Sequence, residues 1–163
     1  MTNLAEAASR AAGLSDEQAL ANLRREVADD LEAAARSSDY RERAVAYRAI
    51  GQLRFAQKTE LLRRGLEDES PACRGSALLA LELLSRDHPG LVNAVRPRLH
   101  NLATEDPNGA VRRLAILSLK NGSPAKDTLT LLSHLAEGEE DGKELRAAAA
   151  SVHQALKRKA AAR

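Results

Sequence analysis

Four arginines recur in register along this 163-residue chain: Arg43, Arg74, Arg112 and Arg146, each followed three residues later by an alanine (Ala46, Ala77, Ala115, Ala149). Four residues beyond the alanine come Ile50, Leu81, Leu119 and, in the last case, His153. A guanidinium carries five N–H donors in a fixed fork, so such a row offers two kinds of chemistry. It is either a rail for a partner's phosphates or carboxylates, or a set of internal pairs with the chain's own carboxylates and helix-end carbonyls. Asp68 stands six residues before Arg74, and Asp106 six before Arg112. An acid placed at the same distance ahead of two of the arginines favours internal pairing.

The remaining reactive side chains form no catalytic or metal-binding set. His88, His100, His134 and His153 lack the i, i+4 spacing of ligands on one helix face, and no cysteine or acidic cluster completes them. His134 and His153 could meet across the last helix pair, as packed or surface histidines. Cys73 is the only cysteine, so no disulfide within the chain is expected; it occupies the slot of Val111 and Leu145 and reads as a small core residue. The acidic EGEED loop lacks calcium-ligand spacing, and there is no phosphate-cradling glycine loop or nucleophile motif. Tyr40, Tyr47 and Phe55 are too few to stack a single-stranded nucleic acid. The expectation is a chain with no catalytic residue, cofactor or metal, and not an enzyme.

The elements that carry these residues are helices. The arginines are 31, 38 and 34 residues apart, a period that marks stacked helical repeats. Aromatics make up 2% of the chain and there is no Trp. The interior must therefore be Leu, Ala, Val and Ile, which suits closely spaced helices and high helix propensity. Ser15 and Gln18 fit a capping box that opens a helix over about 16–36, with Leu20, Leu23, Val27 and Leu31 on one stripe. Further helices are expected over about 40–54, 57–67, 71–85, 89–103, 108–121, 124–136 and 142–159. Ser70-Pro71, Asp106-Pro107 and Ser123-Pro124 mark helix starts, and Gly122 a helix stop. Pro97 should kink its helix without ending it, because Leu99 and Leu102 continue the apolar pattern. Residues 1–14 read as an extension, a short helix or a frayed end, ahead of a single repeat domain over 15–160.

These residues resemble the HEAT-repeat family, particularly the short bacterial HEAT-like repeats. Asp106 with VRRLAILSL and Asp68 with CRGSALLAL carry the pattern best. The first repeat keeps Ala49-Ile50-Gly51-Gln52-Leu53 but has Ser37 in the aspartate slot, and the fourth has Leu145-Arg146 with Glu140 in that slot. The resemblance covers roughly residues 16–158 and implies an all-α, right-handed α-solenoid of about four helical hairpins. It also implies that Arg43, Asp68, Arg74, Asp106, Arg112 and Arg146 form a structural ladder, and that the second helix of each hairpin lines a concave face. Neither the tetratricopeptide nor the ankyrin signature is present. Alkylpurine DNA glycosylases share this architecture with a basic groove and aromatic residues, but this chain is short for that and lacks Trp.

On that face, the positions one and four to five residues after each arginine are the candidates for partner contact: Tyr47, Arg48, Leu78, Leu79, Arg113, Ile116 and Leu117. The leucine and isoleucine pairs either pack against neighbouring helices or form an exposed apolar patch for a partner helix or a second copy. Charge is uneven: residues 1–36 hold four Arg against seven acids, whereas the net formal charge of the whole chain is +2. Much of the excess lies in the basic cluster Arg41, Arg54, Lys58, Arg63 and Arg64, with Arg43 and Arg48 among them. A solvated surface, an acidic protein or a nucleic-acid backbone would each account for it. The expected function is a non-enzymatic protein-interaction adaptor or scaffold, with a sequence-independent nucleic-acid binder as the alternative. A cytoplasmic monomer or weak homo-oligomer is expected. No apolar run approaches the length of a membrane span and the N-terminus lacks signal-peptide character.

Overall fold

The computed structural model describes residues 3–139 and 141–163. The chain forms two compact units, Met1–Leu84 and Ser85–Arg163, and no strand occurs among the described residues.

The first unit opens with α1 (Leu4–Ala12), whose Asn3 cap accepts the Ala5 N–H at 2.9 Å and whose Leu4, Ala7, Ala8 and Ala11 are buried. α2 (Glu17–Ala35) buries the stripe Leu20, Leu23, Val27 and Leu31. Its cap is Asp16 rather than Ser15: the carboxylate takes the Gln18 N–H at 3.1 Å, and the Gln18 side chain turns forward to Asn22. A carboxylate is the better partner for the positive end of a helix dipole, so the capping box does not form. α3 (Tyr40–Gln52), capped by Asp39, packs on both α1 and α2. It ends earlier than the sequence suggests because Arg54 adopts a left-handed backbone (φ 51°), which lets Phe55 N–H reach Ile50 C=O at 2.9 Å and close the helix. A 3₁₀ turn (Ala56–Lys58) leads into α4 (Thr59–Leu66), and α5 (Pro71–Ser85) follows. Two glycines set how near α5 can come. A Cβ on Gly51 would lie 2.6 Å from Ala80 Cα, and one on Gly65 would lie 2.8 Å from Ala77 Cβ.

The second unit holds α6 (Gly90–Ala94), α7 (Arg96–Glu105), α8 (Gly109–Leu119), α9 (Lys126–Glu137) and α10 (Lys143–Ala161), with α8 against α7 and α10, and α10 against α9. Pro97 breaks the expected 89–103 helix instead of kinking it. Val95 leaves helical geometry (φ −116°, ψ 14°), and α7 restarts with Leu99 N–H on Val95 C=O at 3.0 Å. Proline then sits in the first turn of a new helix, where its missing N–H has no partner to lose. The starts expected at Asp106-Pro107 and Ser123-Pro124 also shift, whereas α5 begins at Pro71. Asn108, not Asp106, caps α8 through a 3.1 Å bond from Val111 N–H. α9 begins at Lys126 after an extended Ala125.

Candidate partner-binding face

Each arginine of the row first grips the turn ahead of it. The Arg43 Nη1 donates to the Ser37 and Ser38 carbonyls at 3.0 and 3.2 Å, and the Arg74 Nη1 donates to the Asp68 and Glu69 carbonyls at 2.9 and 3.1 Å. The Arg146 Nη1 reaches the Asp141 carbonyl at 3.3 Å, and the Arg112 Nε donates to the Ala103 carbonyl at 2.9 Å. These carbonyls belong to turns and helix ends whose oxygens the helical ladder leaves unbonded.

Arg43 and Arg112 also reach a carboxylate one hairpin further on. Arg43 meets Asp68 through two parallel bonds of 2.9 and 3.0 Å, with side-chain exposures of 13% and 7%. Asp68 additionally accepts the Ser70 N–H at 2.9 Å. Burial pushes the Asp68 carboxyl up, but the Arg43 fork and the Ser70 amide outweigh it and hold it below its ordinary value. The Arg43 guanidinium is raised above its own, chiefly by that same hydrogen bond. Arg112 meets Asp141 through one bond of 2.8 Å. The slot before Arg146 that the sequence assigned to Glu140 falls outside the described residues; Asp141, one position on, makes the pair. Asp106 is buried and accepts the Asn108 N–H at 2.9 Å. The row is thus occupied with the fold's own backbone and acids.

Positions counted from each arginine separate core from surface. Four on, Tyr47, Leu78 and Ile116 are buried. The expectation that they touch a partner is corrected: they fill the interior, and the Tyr47 hydroxyl donates to the Ala35 carbonyl at 3.5 Å within it. Five on, Arg48 is exposed, Leu79 and Leu117 are half-buried, and Ser151 is exposed. One on, Arg113 is exposed. In the first unit the outward residues are therefore Arg48 and Leu79, with Leu83 one turn beyond; in the second they are Arg113 and Leu117.

The basic cluster largely dissolves into local pairs. Arg41 pairs with Asp39 at 3.2 Å, Lys58 with Glu32 at 2.7 Å and Arg63 with Glu60 at 4.0 Å. Lys58 also lies over the Phe55 ring, and Arg54 donates to the Leu14 carbonyl at 3.3 Å. Arg48 and Arg64 stand exposed with no ion pair among the described residues.

His134 and His153 line one shallow hollow between α9 and α10, and no group of residues fit to hold a metal ion occurs among the described residues. Burial raises the Cys73 thiol, which donates to the Tyr40 carbonyl at 3.2 Å. A feature that sequence reasoning missed is a groove of about 510 Å³ in the first unit, where α1, α2 and α3 meet. Leu4, Ala33, Ala34 and Val45 give it an apolar lining. Val45 lies two residues after Arg43 and is 43% exposed, an apolar residue at an outward helix position that could have signalled it.

No helix among the described residues is long and apolar enough to cross a membrane. Residues 28–101 match the family model for HEAT repeats. No curated protein matches the chain. Helical hairpins in series, together with that match, assign the chain to the all-α, α-solenoid class.

Proposed function

We propose that this chain, whose residues 28–101 belong to the HEAT-repeat family, is a non-enzymatic adaptor or scaffold that offers the second helices of its hairpins to another protein. HEAT repeats generally mediate contact between proteins. One observation carries the reading here: the arginine row is spent on internal turns and carboxylates, while the row five residues later reaches the surface and changes character from Arg48 to Leu79, Leu117 and Ser151. Constant positions then build the scaffold, and variable ones select the partner. Half-buried leucines at the outward positions, with Arg48 and Arg113 exposed at others, give the mixture of apolar area and guanidinium that anchors protein interfaces. Residues 15–160 act as one repeat domain, with 1–14 as its extension, in the cytoplasm, where a lone buried cysteine stays reduced.

Affinity purification of the tagged protein from its own cells tests this. Leu79→Asp with Leu117→Asp should release the co-purifying protein while circular dichroism shows the variant still folded, at the lowered melting temperature that carboxylates at half-buried positions bring; retention of that protein by the folded double variant would overturn the assignment. The basic cluster supports a second reading, sequence-independent binding to a nucleic-acid backbone. A filter-binding titration at two salt concentrations separates the two, because backbone binding weakens steeply with salt. The adaptor reading expects no retention even at low salt.

A further inference from the structure

The two ends of the chain are complementary. Beyond Leu156, the last buried residue of α10, every residue from Lys157 to Arg163 is exposed, although the helix continues to Ala161. This overhang carries Lys157, Arg158, Lys159 and Arg163 around a run of three alanines, and no acid follows Glu144. Lys159 ties it back, its ammonium donating to the Gly122 carbonyl at 3.1 Å. At the other end, the groove between α1, α2 and α3 is lined by Leu4, Ala33, Ala34 and Val45. Asp30 and Glu42 also line it, together with Arg41, which is paired with Asp39. The surrounding residues 1–36 carry three more acids than bases. An Ala-rich helical turn flanked by cations matches an apolar groove lined with carboxylates in chemistry and in sign.

We propose that copies of this chain associate head to tail, the overhang of α10 from one copy seated in the α1–α2–α3 groove of the next. The contact is heterologous, so a pair joined by one such contact still has one open groove and one free overhang, and association continues past a dimer. Part of the attraction is between exposed charges and is screened by salt.

Sedimentation velocity over a concentration series tests it with the whole chain. The mean mass should climb beyond two chains at low salt and fall back at high salt. Val45→Glu, at an exposed position that leaves the core intact, should hold the protein at the mass of one chain with an unchanged melting temperature. Glu42→Arg alone and Lys157→Glu with Arg158→Glu alone should each weaken association about tenfold. An equimolar mixture of these two variants should recover it. The reversed groove of one then meets the reversed overhang of the other, and the two ends left native still match. Combining all three changes in one chain should recover association for the same reason. A protein that stays at the mass of one chain at every concentration, one that stops at a salt-insensitive dimer, or one whose association Val45→Glu leaves unchanged would each overturn the proposal. So would a mixture no stronger than its separate components.

Discussion

Arg43 and Arg112 hold the same place in their hairpins, yet they grip differently. Arg43 closes on Asp68 with both ends of its fork, in a pair that is nearly dry. Arg112 holds Asp141 with one bond, in a pair about one-fifth exposed on each side. The difference comes from the acid, not the arginine. Asp68 is fixed in a tight turn by the Ser70 amide just ahead of Pro71, while Asp141 sits in a loop bounded by Gly138 and Gly142. A repeated arginine sets where a clamp can form; the turn that brings the carboxylate sets its strength.

The dry clamp should yield most when its acid is removed. Asp68→Ala leaves the Arg43 guanidinium buried without its carboxylate and should cost about 3 kcal/mol of unfolding free energy in a denaturant titration. A loss no greater than that of an exposed residue would mean that the pair is ornamental. Next in size is Gly51→Ala, which pushes a methyl into the Ala80 backbone and should cost about 2 kcal/mol. The looser clamp comes third: Arg112→Ala should cost about 1 kcal/mol, with Arg113→Ala on the neighbouring exposed position within about 0.5 kcal/mol of the native protein. Equal melting temperatures for these two variants would remove Arg112 from the clamps.

The two units should also part company in acid. Asp68 is held below its ordinary value when folded, so the stability it lends is complete above that ordinary value and is lost as pH falls through the lowered one. His100, whose Nε2 lies 2.9 Å from the Thr128 hydroxyl, is lowered from 6.5 mainly by burial, with Arg96 adding to the effect and Asp127 opposing it. Folding therefore resists charging this ring. Its contribution is complete above 6.5 and declines as pH drops through the lowered value. Hydrogen exchange should show residues 85–163 losing protection in mild acid before residues 1–84 do, and His100→Gln should narrow that gap.

Much of this architecture is legible in the sequence because its signals are local. The stripe Leu20, Leu23, Val27 and Leu31 identifies α2 by periodicity alone, and Ser70-Pro71 marks the start of α5. The misread starts and breaks are contests between neighbours. Asp16 displaces Ser15 as a cap, Asn108 displaces Asp106, and Val95 absorbs the geometry that Pro97 imposes. Sequence spacing placed the outward row only to within one residue, and one residue turns a helix by about 100°. Tyr47, Leu78 and Ile116 consequently fall inside, while Arg48, Leu79 and Leu117 reach the surface. The groove was invisible because Leu4, Ala33 and Val45 come from three helices and share no motif.

The register arginines hold the fold together, and their outward neighbours do not. Helix α3 carries one of each, with Arg43 and Arg48 five residues apart. Thermal unfolding of Arg43→Ala and Arg48→Ala, followed by circular dichroism at neutral pH, should give a clearly lower midpoint for Arg43→Ala and a native midpoint for Arg48→Ala. Coincident midpoints for the two variants would refute this division of labour.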